Sequence, residues 1–250
     1  NGYNIWPSEF SLDAYKLVFV SGDIPQAYLV TVGTTIVGTF FSMVFTCGAA
    51  YAMSVKNFKS RGVLALFIYF TMLFNGGLVA NYLLTTKFLH LQNNILVLLL
   101  PSFCNAWNIL LMRNFFNGIP ASLAESAKID GANDITILIK IILPISLPGI
   151  ATIGLFYALT YWNEWYKCLL YIDSSHSQYY TLQYLIQQIL RQVNYAANQP
   201  AEAVGLNSLT LPTYAYRMAT IIVAIGPIIL LYPFLQKYFV QGLTVGSVKG

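Results

Sequence analysis

Hydrophobic residues in this chain fall into five long runs, near positions 27–54, 63–84, 94–113, 147–170 and 212–236. Between them, polar residues, glycine and proline return. A spanning helix needs roughly 20 apolar residues at about 1.5 Å each, so every run is long enough to cross a bilayer. The pattern predicts an all-α fold, a polytopic membrane helix bundle with five spans. Residues 1–26 are mixed, with Pro7, Ser11, Gly22, Asp23 and Pro25 interleaved with Trp6, Phe10, Tyr15 and Phe19, which suits a segment lying on a membrane surface. The connection 171–211, rich in Ser, Gln, Asn and Tyr, is long for a turn and is expected to be partly ordered and used for contact.

Polar residues inside the runs modify this picture. In the first, Thr31, Thr35, Gly38, Ser42 and Thr46 recur at spacings of three and four, which predicts one face of small and hydroxyl side chains for close helix packing. In the second, Asn75-Gly76-Gly77 predicts either a broken point lining a cavity or a close contact of two helices. In the third, Pro101, Asn105 and Asn108 share a helical face, for lining a solute path or for inter-helix hydrogen bonds. The fourth ends Tyr161-Trp162-Asn163-Glu164-Trp165-Tyr166-Lys167. A helix from Leu147 carries Glu164 about 25 Å along its axis, near the outer edge of the hydrocarbon. Trp162, Asn163 and Glu164 then read either as an interfacial aromatic belt with a charge that reaches water, or as an outer vestibule for a sugar-like solute.

Composition sets the solvent. The 250 residues are 57% hydrophobic and 9% charged, with mean hydropathy +0.61. Soluble domains carry about 25% charged residues, so the bilayer is the natural surroundings. A net charge of +4 does not point to nucleic acid. Cys47, Cys104 and Cys168 are scattered in apolar stretches, and His90 and His176 sit in no constellation. That excludes a disulfide framework, a metal site and an intramembrane enzyme as readings. Without a Gly-x-x-x-x-Gly-Lys-Ser/Thr phosphate loop, no nucleotide cofactor is expected on this chain.

Orientation follows the basic residues. Lys56, Lys59 and Arg61 crowd the short loop 55–62, Lys128 and Lys140 belong to the connection 114–146 with Arg113 at its edge, and Lys237 and Lys249 to the tail 237–250. These segments share one face, read as cytoplasmic. Residues 1–26, 85–93 and 171–211, with Lys16, Lys87, Lys167, Arg191 and Arg217 on the opposite side, face outward. An outward N-terminus without a visible signal peptide predicts a further, sixth span upstream of Asn1.

The connection 114–146 carries the most specific pattern. Pro120 suits the first turn of a helix, Ser122 and Glu125 are spaced as a capping box, and Gly131 stands where a left-handed residue closes a helix. Asn133 or Asp134 can cap a second helix that Pro144 ends. A short cytoplasmic helix between two spans is a lever, and Glu125 is either its cap or an anionic contact to a docked partner.

At this segment the chain resembles the permeases of binding-protein-dependent ABC importers. Their loop reads Glu-Ala-Ala, three residues, Gly, nine residues, Ile, one residue, Leu-Pro. Here Glu125-Ser126-Ala127, Gly131, Ile141 and Leu143-Pro144 hold that spacing, with Ser126 in place of the usual Ala. The stretch from Trp6-Pro7 to Tyr15 resembles the outward segment after the first helix of oligosaccharide-uptake permeases, and the tail from Tyr232-Pro233 to Lys249-Gly250 is similar to that of the maltose-transporter type, nearest the subgroup handling oligosaccharides from complex polysaccharides. The resemblance implies a multi-pass permease in the cell membrane of a prokaryote, working by alternating access. It implies a second homologous permease, an ATPase dimer holding ATP and Mg, and an extracytoplasmic solute-binding protein as partners. Glu125, Ser126, Ala127, Gly131, Leu143 and Pro144 would dock the ATPase, and the tail 237–250 would also reach it. The implied cargo is a sugar or oligosaccharide, and few charges in the spans suit a neutral one. The alternative is a permease of the same superfamily for a non-sugar solute.

Overall fold

A computed structural model describes residues 11–20, 23–198, 218, 219, 221–223 and 226. The expected tail 237–250, the start of the N-terminal segment and nearly all of the run 212–236 lie outside the described residues. Among the described residues the fold is all-helical, without strands. A short α1 (Asp13–Val20) leads into α2 (Asp23–Ser54), followed by α3 (Arg61–Leu73), α4 (Gly77–Phe88), α5 (Leu96–Ser102) and α6 (Ala106–Asn117). Then come α7 (Ala121–Ile129), α8 (Asp134–Ile145), α9 (Leu147–Trp162), α10 (Tyr166–Tyr171) and α11 (Leu182–Asn198).

The first apolar run folds as one uninterrupted helix, and Ile24–Ser54 is long and apolar enough to cross a membrane. The next three runs are bent or interrupted rather than straight rods. Up to four crossings result if each bent pair counts as one. The run 63–84 breaks after α3, and α3 and α4 meet at 114°. The cause is Asn75-Gly76-Gly77. Gly77 takes φ +79°, a region without steric cost for glycine, and its N–H donates to Asn75 Oδ1 at 2.9 Å. The run 94–113 bends by 49° between α5 and α6, beyond Pro101. The run 147–170 is interrupted at residues 163–165, between α9 and α10.

The hydroxyl face of α2 is a packing face. The small residues let α9 come close enough for the hydroxyls of Tyr157 and Tyr161 to reach α2. Thr46 and Tyr157 are hydrogen-bonded at 2.7 Å, and Ser42 and Tyr161 at 3.0 Å. Thr31 accepts the Leu182 N–H at 2.9 Å. In hydrocarbon, apolar burial gives helices little reason to associate, so close packing and such bonds hold them together. One apolar cluster, including Cys47, Met112, Ile137 and Ile153, fills the space between α2, α6, α8 and α9. A second, including Ile24, Leu98, Cys168 and Leu182, caps the opposite end.

Within 171–198, α11 is amphipathic. Leu182, Leu185, Ile186, Ile189 and Leu190 form its apolar side against that second cluster. The expectation of partial order is met for this part. Asn93 ties the neighbouring loop to it, its amide donating to Asp173 Oδ2 at 2.6 Å and its Oδ1 accepting the Asp173 N–H at 2.9 Å.

Candidate coupling site and solute path

The segment singled out in the sequence forms helix α7, a tight reversal and α8. Pro120 is the N-cap residue of α7, one position before the first turn where it was expected. Ser122 therefore falls inside the helix, and no side chain caps the N-terminus. The expected Ser122–Glu125 capping box does not form, so Glu125 is released from that task and stands exposed. The C-terminus follows the expectation closely. Gly131 adopts φ +82°, its N–H donates to Lys128 O at 3.1 Å, and the Ala132 N–H donates to Ala127 O at 2.9 Å. These two bonds define a Schellman closure, which satisfies carbonyls that the helix end would orphan. Asn133 then caps α8, accepting the Thr136 N–H at 2.8 Å.

Pro144 does not itself end α8. The helix runs through a π turn at Leu138–Ile142 and stops after Ile145, where Ser146 begins an 87° bend into α9. Ala124, Ala127 and Leu143 pack toward the core, while Glu125, Ser126 and Pro144 are exposed. Ser122, Glu125, Ser126 and Ile129 follow helical spacing on the outer side of α7, and Ile129 is 87% exposed. Ile129 was not singled out from sequence. Its apolar character just before Asp130-Gly131, on the polar side of the helix, was the available signal.

The inner end of α2 and α7 enclose a groove of about 200 Å³ lined by Tyr51, Lys56, Phe116, Pro120, Glu125 and Lys128. Across the reversal Lys128 pairs with Asp134 at 2.8 Å. Both are well exposed, so the pair positions the turn more than it stabilises it.

The residues expected along the path stand at three separate helix interruptions. Asn75 Oδ1 accepts from the Gly77 N–H and from the Asn81 amide of α4. Asn105 lies in the break before α6 with extended backbone and acts as N-cap, accepting the Asn108 N–H at 3.1 Å. The shared helical face of Pro101, Asn105 and Asn108 is thereby corrected, because the chain is not helical at Asn105. Asn108 itself is buried.

Trp162 is buried against Tyr28, and Asn163 is exposed with its amide donating to Leu159 O at 2.9 Å. Glu164 is only slightly exposed. It forms an ion pair with Lys167, and its Oε1 accepts the Lys167 N–H at 2.9 Å. The Lys167 ammonium also donates to Ser102 Oγ at 2.8 Å, tying the break in α9–α10 to the break in α5–α6. Glu164 thus sits at a largely buried joint between two interrupted helices. Outside the membrane segments, Asp173 is held well below the usual carboxylate range, first by the Ser175 hydroxyl, then by His176 and the Asn93 amide. Among the described residues, no cluster of His, Cys, Asp and Glu has the makings of a metal site.

The described bundle is all-helical with a short helix, α7, reversing into α8, and sequence comparison makes the class specific. The chain belongs to the family of binding-protein-dependent transport system inner membrane components, whose profile matches residues 42–245. Membership makes it an integral component of a bacterial inner membrane, an ABC importer permease whose family works with an ATPase and a solute-binding protein.

Among its relatives is the polygalacturonan/rhamnogalacturonan transport system permease protein YtcP of Bacillus subtilis (strain 168). The two are 43% identical over 244 residues, 98% of this chain and 84% of that one. The arabinooligosaccharides transport system permease protein AraQ of Halalkalibacterium halodurans is 28% identical over 250 residues, 98% of this chain and 81% of that one. The fold is similar to a chain in the crystal structure of a bacterial ABC transporter involved in the import of the acidic polysaccharide alginate. The TM-score is 0.83 at 33% identity, over 96% of this chain and 84% of that chain.

Proposed function

We propose that this chain is one of two homologous permeases that form the path of an oligosaccharide importer, with α7 as the lever that docks the ATPase. The observation that carries the docking assignment is the outer side of α7. The capping box that would have occupied Glu125 is absent, so Glu125, Ser126 and the 87% exposed Ile129 are all free for a partner. The Schellman closure at Gly131 fixes the angle at which α7 hands over to α8. Oligosaccharide cargo is supported by the relatives, whose names refer to polygalacturonan, rhamnogalacturonan and arabinooligosaccharides.

In this reading, ATP and its Mg ion belong to the ATPase dimer. Closure of that dimer pulls on α7, and α8 passes the movement through the 87° bend into α9. Asn75 and the Asn105–Asn108 turn stand at interrupted helices, where freed backbone groups and amides can meet sugar hydroxyls. Trp162 and Asn163 border the third interruption. Glu164 contributes by holding Lys167 against Ser102 rather than by touching solute.

The test is ATPase activity of the reconstituted complex, with its solute-binding protein loaded with candidate oligosaccharides. Stimulation in the unaltered complex that Glu125→Lys abolishes supports the assignment. Stimulation undiminished in Glu125→Lys removes Glu125 from the docking surface, and no response to any saccharide in an intact complex overturns the saccharide reading.

A further inference from the structure

A second concavity lies between α3 and α6. It has a volume of about 290 Å³ and is lined by Tyr69, Met72, Trp107, Leu110, Arg113 and Asn114. Its two ends differ in chemistry. Arg113 and Asn114 stand about one helical turn before α6 ends at Asn117. Trp107 comes earlier on the same helix, about 9 Å deeper along its axis. Asn117 shares the groove under α7 with Lys56 and Asn57. The polar end of the concavity therefore points to the same end of the bundle as the basic loop 55–62.

Arg113 sets this place apart. From its position in the sequence it counted only as the edge of a basic cytoplasmic connection. In the structure it is a wall of the concavity. Its Nε is buried without a hydrogen-bond partner, and the side chain forms no ion pair among the described residues. A guanidinium held at the edge of hydrocarbon needs an anion, and its planar fork matches the oxygens of a phosphate.

A lipid or a neighbouring protein can supply that anion, and the residues around the mouth favour the lipid. Membrane helices meet one another through small side chains that let backbones approach. Where α3 packs on its own bundle it follows that rule, with Ala65 of α3, Ala49 of α2 and Ala106 of α6 against Met53, Ile68 and Ile109. The free sides of α3 instead carry Val63, Leu66, Phe67, Phe70 and Leu73, which are 54–72% exposed. Large apolar side chains of this kind match acyl chains. Tyr69 and Trp107 are also more than half exposed, and such rings settle at headgroup level. Lys56, Lys59 and Arg61 stand exposed at the same end and attract an anionic leaflet.

We infer that the concavity between α3 and α6 binds an anionic phospholipid of the leaflet that the basic residues mark as cytoplasmic, a site separate from the solute path. The Arg113 fork holds the phosphate, with the Asn114 amide beside it. One acyl chain runs from there past Tyr69 to Met72 and Trp107, toward the membrane interior.

The test is tryptophan quenching in the complete importer, held in nanodiscs of phosphatidylcholine and phosphatidylglycerol. Dibrominated acyl chains, which quench on contact, are carried by one lipid or the other. The signal of Trp107 is the difference between the unaltered complex and Trp107→Phe. Its quenching is expected to show about tenfold preference for phosphatidylglycerol, the scale of one charge-assisted hydrogen bond. Arg113→Gln is expected to erase that preference and Arg113→Lys to keep part of it. Equal quenching by the two lipids in the unaltered complex overturns the inference and leaves ordinary lipid contact. Quenching of Trp107 by neither lipid overturns it as well, because protein then covers the mouth. So does a preference unchanged in Arg113→Gln. Loss of complex assembly in that variant also overturns it, and assigns Arg113 to a carboxylate of a partner subunit.

Discussion

The ring of Tyr161 lies directly over Gly38. A β-carbon at Gly38 would fall 2.5 Å from Tyr161 Cζ. The same ring donates its hydroxyl proton to Leu99 O at 3.1 Å and is hydrogen-bonded to Ser42 at 3.0 Å. One side chain of α9 thus fills a notch in α2 and satisfies a carbonyl of α5 beside Pro101.

Gly38→Val is expected to push Tyr161 out of the notch and destabilise the bundle by about 1–3 kcal/mol, the usual cost of overpacking. Thermal unfolding of the purified complex checks this. Gly48→Ala serves as the control, because a β-carbon there meets nothing within 4 Å.

Tyr161→Phe keeps the ring and leaves the Leu99 carbonyl without its donor. The expected loss is about 1–3 kcal/mol, the cost of an unsatisfied buried group. Unfolding of this variant and of Gly38→Val should be non-additive in the double variant, since both act on one contact.

The pair Glu164–Lys167 is largely buried, with side-chain exposures of 11% and 15%. Lys167→Met alone strands a carboxylate and should cost about 3–5 kcal/mol. Adding Glu164→Gln removes the stranded charge and should recover a large part of that loss in the same unfolding assay. A double variant no better than the single one would show that the contact to Ser102, not the ion pair, holds the joint.

Gly131→Val places a β-branched residue at φ +82° and should cost about 1–2 kcal/mol locally. Membrane insertion is expected to survive, and ATP hydrolysis to run without matching solute uptake. Wild-type coupling in that variant would rule out α7 as the lever.

Asp173 has a lowered native pKa, so its share of loop stability is fully present above its ordinary value near pH 4. It is lost as pH falls from there through the lower native value. Amide exchange of residues 172–180, corrected for its intrinsic rate, should be flat from neutral pH to about 4 and rise below that. Asp173→Asn should flatten the acid limb.

Local backbone chemistry was the legible part of this chain. Gly131, Asn133 and Asn75-Gly76-Gly77 each carry a conformational preference in the residue itself, and each does in the structure what that preference dictates. The all-helical class was legible in the apolar runs. What escaped was tertiary. Glu164 and Lys167 are three residues apart, yet nothing local shows that both turn inward against Ser102. The interruption at 163–165 carries no glycine or proline. The apolar stripe of α11 was readable from Leu182 to Leu190 but was hidden in a polar composition. For the lever, the capping box failed because Pro120 took the cap position itself, two residues ahead of Ser122. Arg113 was read for topology because a sequence shows its charge but not the missing partner.

The 32 residues of α2 span about 48 Å, against roughly 30 Å of hydrocarbon. Its neighbours can fold at their joints to match a membrane; this rod must lean or stand proud of it. Bilayer thickness therefore sets its tilt. Tyr51 and Ser54 at its C-terminal tip border the groove under α7, so the height of α7 above the lipid varies with the lipids around the transporter.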